Sequence, residues 1–294
     1  MTLLDKLSQF FFSGLTTGSI YAIIAIGFGV VHNASGIMNL LQCEFVTLGG
    51  MITVTLYSFV GIPLPVSIPL SIITVTLIGA FFERSAIRTA RSQQIIVLIF
   101  ITIGASIFVR GLALTVWGSD PFVLPPFSGN RPIHILNATI VPQNLWVLTV
   151  TILVVVTLYF FFKKSLTGKA MRAASCNKQA AALSGISVNR MVLLSFAMSG
   201  GLGAVAGIII APITTTSYDV GFMLGLKGFS AAVLGGYGSM PGAVLGGLLL
   251  GVTESLATGI VSSAYKNAVA FIILLLVLFI RPSGLLGEPV AERV

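Results

Sequence analysis

Four ionisable side chains fall inside stretches of the sequence that are otherwise apolar: Glu44, Arg110, Lys227 and Glu254. A charged side chain inside a membrane is costly, so such residues are retained for function or pair with one another. Their number and their distance from one another along the chain leave both readings open. They are the first place to look for chemistry.

The segment 27–44 inserts glycine, amide and carboxylate groups into a hydrophobic run. Breaks of this kind at membrane depth are typical of transporters, in which unwound backbone and half-helix ends line a passage. At about 100° per residue, a helix would carry four side chains on one face. We therefore predict that this face lines a translocation path; its members are Asn39, Gln42, Cys43 and Thr47.

By the same rotation per residue, Glu44 lies about 140° from Asn39 around the helix and is expected to face a different neighbour. We interpret Glu44 as a structural partner in an ion pair or hydrogen bond. Lys227 is the favoured partner, and Arg110 is less favoured because it lies near the end of its apolar segment and can snorkel to the interface. Glu254 follows Gly251 by three residues, on a face suited to close packing, so we expect a structural role there too.

Enzymatic constellations are missing from the sequence. The two histidines, His32 and His134, are far apart, and neither a paired-carboxylate motif nor a metal-ligand cluster is visible. The phosphate-binding motif G-x-x-x-x-G-K-[ST] is absent, so the chain does not hydrolyse ATP by that route. We predict a protein that is not an enzyme and needs no metal or cofactor.

Composition places the chain in a membrane. Of 294 residues, 56% are hydrophobic and 8% charged, with a mean hydropathy of +1.04; soluble domains carry about 25% charged residues. We predict an all-α polytopic bundle of about eight transmembrane helices with broken or re-entrant segments, residues 1–294 forming a single transmembrane domain. The expected spans lie near 8–31, 38–60, 65–82, 94–117, 145–162, 190–211, 240–259 and 266–281, with a shorter segment at 224–236.

The net charge of +8 is concentrated in two loops, 83–91 and 163–190, of which the second has no acidic residue. The positive-inside rule predicts that both are cytoplasmic and that 118–144 lies outside. Nucleic-acid binding is a poor explanation because no soluble module presents these charges. Within the second loop, residues 169–184 are rich in helix formers and stop at Gly185, as at a helix C-terminus. Such a helix could dock in a groove of a partner protein or rest on anionic membrane lipid.

Glycines recur four residues apart, as in Gly14/Gly18, Gly203/Gly207, Gly242/Gly246 and Gly247/Gly251. This spacing favours close helix packing. Glycine-rich interruptions occur both early, at 14–50, and late, at 225–251, which is a weak internal similarity between the two halves of the chain. Paired interruptions of this kind point to a central site in transporter folds.

Taken together, these segments resemble the permease subunit of branched-chain amino-acid type ABC importers, a group that includes the urea permeases. The resemblance covers nearly the whole chain. It is clearest in six stretches: 14–27, 36–40, 167–173, 183–190, 227–243 and 281–287.

The resemblance implies a bacterial inner-membrane protein that pairs with a second permease subunit, usually a different chain. Two cytosolic ATPase subunits and a periplasmic or lipid-anchored solute-binding protein complete such importers. It also implies that the helix at about 170–183 is the coupling helix that enters an ATPase cleft. The residues assigned to this coupling are Arg172, Ala173, Ala181, Ala182, Leu183 and Gly185.

Two departures bear on what is carried and how the ATPase docks. Family members commonly have His-Gly before the glutamate that Glu44 matches, whereas this chain has Gln42 and Cys43. The loop before the Ala-rich stretch has Ser175, Cys176 and Asn177 where acidic residues are often found. The solute is therefore expected to be a branched-chain amino acid or a related small polar or carboxylate solute. The alternative function is a stand-alone, ion-coupled secondary transporter that uses Glu44 as its buried carboxylate.

Overall fold

A computed structural model describes residues 3–129, 131–135, 138–260, 262, 265–281 and 283–287. Within them the chain is helical almost throughout, apart from one short antiparallel hairpin. The elements in chain order are α1 (Leu3–Ser35), α2 (Gln42–Val54), π1 (Thr55–Phe59), α3 (Leu64–Phe82), π2 (Glu83–Ile87), α4 (Ile95–Trp117), β1 (Ile133–Ile135), β2 (Ala138–Ile140), α5 (Pro142–Lys164), α6 (Leu166–Cys176), α7 (Lys178–Leu183), α8 (Val188–Ile210), α9 (Val220–Gly235), α10 (Met240–Ile260) and α11 (Lys266–Ile280), where π1 and π2 are single π-helical turns.

Six of the described helices are long and apolar enough to cross a membrane: Asp5–Ser35, Leu64–Ile87, Ile95–Trp117, Pro142–Lys164, Val188–Ile210 and Met240–Gly259. Two further apolar helices, Val220–Gly235 and Lys266–Ile280, are shorter. The 16 residues of α9 extend about 24 Å, less than the roughly 30 Å of a hydrocarbon core. The protein is thus a polytopic helical membrane protein, as predicted.

The expected crossing at 38–60 differs from what is observed. The helix α2 begins only at Gln42 and has 13 residues before it passes into π1. Asn39 precedes the helix, so the rotation per residue that placed it on one face with Gln42 does not apply to it. The cause is local: Gly36 has φ +77, a left-handed conformation that ends α1.

The chain forms two compact units. The first comprises Met1–Gly29, Pro125–Ile152 and Leu226–Val294, and the second comprises Val30–Leu124 and Leu153–Gly225. In the first unit, α1 packs on α10 through glycines: a side chain on Gly14 would meet the backbone of Gly251 and Val252, and one on Gly18 would meet that of Gly247. The packing interpretation of the four-residue glycine spacing is confirmed at this contact.

In the second unit, α8 packs against both α2 and α3. Gly207 faces the backbone of Val46 on α2, and Gly200 faces that of Val75 on α3. A β-carbon at either glycine would overlap the neighbouring main chain, so the three helices approach at backbone contact. This close packing buries nearly all of α2.

The Ala-rich stretch is not one helix, which corrects the prediction for about 170–183. It is two, α6 and α7, separated at Asn177, whose backbone is extended at φ −155 and ψ 107. The Asn177 side-chain oxygen accepts hydrogen bonds from the backbone N–H of Gln179 and of Ala180, both at 3.0 Å. A side chain that satisfies the free N–H groups of a new helix is an N-cap, and this competing interaction outweighed the helix propensity of the flanking alanines.

Candidate functional site

The break between α1 and α2 leaves backbone groups without helical partners, and a neighbouring helix supplies them. The backbone N–H of Leu40 donates to the Thr102 hydroxyl of α4 at 3.2 Å, and that hydroxyl lies 3.3 Å from the carbonyl oxygen of Met38. Ile37 donates its N–H to the Ser35 hydroxyl at 3.2 Å. An irregular segment is tolerated at membrane depth when protein groups satisfy it in this way.

Two amide side chains at this break are buried with unused hydrogen-bonding capacity. Asn39 and Gln42 are both 0% exposed. Among the described residues, neither polar atom of the Asn39 amide has a hydrogen-bond partner, nor has the Gln42 nitrogen. The Gln42 oxygen accepts a hydrogen bond from the Ser199 hydroxyl of α8. Buried amide groups without partners cost about 1–3 kcal/mol each.

The other two predicted path residues lie against the start of α9. The Thr47 hydroxyl accepts a hydrogen bond from the backbone N–H of Gly221 at 3.1 Å. Cys43 occupies the space over Gly225, where any side chain would overlap its β-carbon and sulfur. Gln42, Cys43 and Thr47 therefore lie on one buried helix, and the last two contact Gly225 and Gly221 of α9.

Glu44 pairs with Arg110, not with Lys227, so the predicted preference was wrong. Glu44 Oε1 accepts from Arg110 Nη2 at 2.6 Å, from Arg110 Nε at 3.1 Å and from the Ser106 hydroxyl at 2.8 Å. The Glu44 side chain is 0% exposed and that of Arg110 is 24% exposed. The arginine also stacks on the Phe222 ring at 4.0 Å. Arg110 is thus held by a carboxylate and a ring instead of snorkelling as expected.

Lys227 and Glu254 form the second buried pair, within the first unit. Lys227 Nζ lies 2.7 Å from Glu254 Oε1, and the Tyr21 hydroxyl donates to Glu254 Oε2 at 3.0 Å. Lys266 Nζ approaches the same carboxylate at 3.5 Å from a more exposed position. All four intramembrane charged residues are therefore paired with one another, which is the second of the two interpretations that the sequence allowed. Nothing in the sequence singled out Tyr21, Ser106 or Thr102, since hydroxyl groups are common in helices.

The segment assigned to ATPase coupling lies at α6, α7 and the turn after them. Arg172, Ala173, Ala182 and Gly185 are exposed, and Leu183 is 91% exposed. Ala181 is buried, on the inner side of α7. A residue that sequence reasoning missed, Lys178, donates from Nζ to the backbone oxygen of Ser35 at 2.6 Å.

A metal centre has no support among the described residues, where no group of three or more His, Cys, Asp and Glu side chains is placed to hold one. In the two buried ion pairs, Glu44 is occupied by Arg110 and Glu254 by Lys227.

Comparison with known proteins is consistent with this arrangement. Residues 10–278 match the family described as "Branched-chain amino acid transport system / permease component". The chain is 34% identical to the high-affinity branched-chain amino acid transport system permease protein LivH of Salmonella typhimurium over 97% of each chain, and 35% identical to the corresponding protein BraD of Pseudomonas aeruginosa over 96% of each. A solved structure, "PsaBC from Streptococcus pneumoniae in complex with Fab", shares the fold with a TM-score of 0.50 at 14% identity, covering 92% of this chain and 91% of that one.

Proposed function

Because this chain belongs to the family of permease components of branched-chain amino acid transport systems, we propose that it carries an aliphatic amino acid past the α1–α2 break. It is a multi-pass permease subunit of an ABC importer in the bacterial inner membrane, and ATP is hydrolysed by separate subunits. The choice of solute is supported by the names of its relatives, which are branched-chain amino acid permeases.

The observation that carries the proposal is the pair of buried amides at the break. The Asn39 amide presents an N–H and a C=O group, and the Gln42 amide an N–H group, that have no protein partner in the described residues. A zwitterionic solute that passes this point can exchange hydrogen bonds with water for hydrogen bonds with these amides. A neutral amide serves this purpose better than a charge, because it binds weakly enough to let the solute leave.

The permease works with a membrane-embedded partner, ATPase subunits and a solute-binding protein. We propose in addition that the partner permease is a different chain and that the exposed outer surface of α7, with the turn after it, docks on an ATPase. Leu183, exposed at the end of α7, is suited to enter an apolar cleft, as an anchor residue of a short helix does.

An uptake assay tests the path assignment. The complete importer, reconstituted with its ATPases and binding protein, is given radiolabelled leucine. Replacing Asn39 by the similarly sized leucine removes the amide, and we expect uptake to fall about tenfold, the equivalent of about 1.4 kcal/mol. Thr53→Val is the matched control, since Thr53 is equally buried but donates only to Gly49 of its own helix; it should stay within about twofold. Normal uptake by Asn39→Leu would refute the path, and no leucine uptake by the unaltered importer would refute the solute.

A second pair of variants tests the docking surface. Gly185 has φ +80 and no atom within 4 Å of where a β-carbon would stand. Alanine and arginine there incur the same backbone strain of about 1–2 kcal/mol, but only arginine obstructs a docked partner. Gly185→Arg should abolish leucine-stimulated ATP hydrolysis, and Gly185→Ala should retain most of it. Equal activity of the two variants would contradict docking at this turn.

A further inference from the structure

A cavity of about 420 Å³ lies in the second unit. Its wall includes the end of α1, the π2 turn, the start of α4 and the segment from α7 to α8. Small-molecule pockets have volumes of about 300–1,000 Å³, so the cavity is large enough for a small metabolite. Asn39, Gln42 and Glu44 are not among its lining residues.

A buried acidic residue lines this cavity. Glu83, the first residue of π2, is 2% exposed, and its Oε2 atom has no hydrogen-bond partner among the described residues. A buried carboxylate oxygen that accepts no hydrogen bond is costly; Arg88 and Arg84 act on Glu83 electrostatically without donating one. An unused acceptor on the wall of a cavity of this size indicates that a donor is supplied from within the cavity.

Two basic side chains line the same cavity, Arg88 and Lys178. The Lys178 ammonium uses one of its donors on the Ser35 carbonyl, which leaves two protons for another acceptor. The cavity therefore offers an acceptor for a cation and donors for an anion at once.

Part of the cavity lining is aliphatic. Ile37, Ile87, Leu98 and Val192 contribute branched side chains to its wall, and the first three are 3–4% exposed. A ligand that fills the space must therefore carry an apolar group as well as its charges, because a fully polar ligand would leave this wall without contacts.

The combination selects one class of ligand. A simple anion would leave Glu83 Oε2 without a hydrogen-bond donor, and a simple cation would be repelled by Arg88 and Lys178. A zwitterion with an aliphatic side chain satisfies all three groups and the apolar wall. We infer that this cavity binds an aliphatic amino acid, with its ammonium group on Glu83 and its carboxylate on Lys178 and Arg88; the identification of leucine as the probe rests on the proposed function.

The site differs from the path in its exposure to the cytosol. Residues 83–91 and 163–190 form the two basic segments, which the positive-inside rule assigns to the cytoplasmic side. The ligand bound here is thus the accumulated product of import, and it contacts the first residue of α7.

Equilibrium binding tests the inference. The purified importer without its solute-binding protein is placed in lipid nanodiscs and titrated with radiolabelled leucine up to about 10 mM, so that weak binding is detected. We expect saturable binding that Glu83→Gln weakens about tenfold or more. Arg91→Gln is the control, because Arg91 is exposed in the same basic segment and does not line the cavity; the leucine affinity of this variant should stay within about twofold.

Ligand analogues make the test independent of whether a variant folds. The unaltered protein should bind leucine at least about tenfold more tightly than 4-methylpentanoate, which lacks the ammonium group, and Glu83→Gln should lose that preference. Absence of saturable binding, equal affinity for the two ligands, or unchanged leucine affinity in Glu83→Gln would overturn the site. These outcomes alongside normal leucine uptake would refute this site alone, whereas absence of uptake would refute the proposed function.

Discussion

The buried pair of Lys227 and Glu254 allows an asymmetric prediction about stability. Their side chains are 6% and 1% exposed and the ions are 2.7 Å apart. Removing one member of a buried pair leaves the other charge uncompensated, at about 3–5 kcal/mol. The two single variants should nevertheless differ in stability, because the charge that remains in each has different hydrogen-bonding and charged neighbours.

In Glu254→Gln, Lys227 keeps its charge without a counter-ion or is neutralised. Deprotonating an ordinary lysine at pH 7 costs about 4.6 kcal/mol, and this cost sets an upper limit on the loss of unfolding free energy. We expect Glu254→Gln to lose about 4 kcal/mol. In Lys227→Met, the carboxylate retains the Tyr21 hydroxyl at 3.0 Å and Lys266 at 3.5 Å, so we expect only about 2 kcal/mol. The double variant contains neither ion and should lose about 2 kcal/mol, which gives a coupling free energy of about 4 kcal/mol.

The assay is equilibrium unfolding in mixed micelles with increasing sodium dodecyl sulfate, followed by tryptophan fluorescence and analysed as a double-mutant cycle. Lys266→Met serves as the control, since this lysine is 47% exposed, and it should cost at most about 1 kcal/mol. Additive single effects, or a greater loss for Lys227→Met than for Glu254→Gln, would show that the two charges do not stabilise each other in this way.

Three further predictions concern the second unit. Arg110→Leu should destabilise the protein by about 3 kcal/mol in the same unfolding assay, because Glu44 loses its cation, and Glu44→Gln in the same chain should recover part of the loss; no recovery would contradict the pairing. Asn177→Ala should weaken α7 by about 1 kcal/mol through loss of the cap, seen as faster hydrogen exchange confined to that helix, whereas unchanged exchange would argue against capping. Gly207→Ala should abolish stable folding in detergent because its β-carbon meets facing backbone, while Gly104→Ala, which has open space around it, should have no effect on the yield of monodisperse protein.

Much of the fold could be predicted from composition and hydropathy, since long apolar runs leave few alternatives to helices in a membrane. Gly14 and Gly251 were recognised as packing residues by spacing alone, because a four-residue period places glycines on one helix face. The limits of α2 were not predictable in the same way. One positive φ at Gly36 ended α1, and apolar residues on both sides of the break gave no sign of where the next helix would begin.

The site was harder to predict than the fold. Residues on one helix are related by a fixed rotation, so Cys43 and Thr47 could be placed together, and both lie against the start of α9; Gln42 instead accepts a hydrogen bond from Ser199 of α8. Which charges meet across helices depends on tertiary packing, which no spacing rule encodes, and for that reason Glu44 was assigned to Lys227 although Arg110 lies beside it. Asn177 shows the same limit locally, where a single side-chain oxygen divided a stretch whose composition favoured one continuous helix.

The hydrogen bond from Lys178 to the Ser35 carbonyl joins the first residue of α7 to the last residue of α1. Only four peptide units separate Ser35 from Asn39, a reach of at most about 14 Å. A displacement of α7 that preserves this hydrogen bond therefore also moves Ser35 and the break that contains Asn39, because no helix lies between these two residues in the chain. One ammonium group thereby gives movement of α7 a direct route to the segment that we propose a passing solute meets.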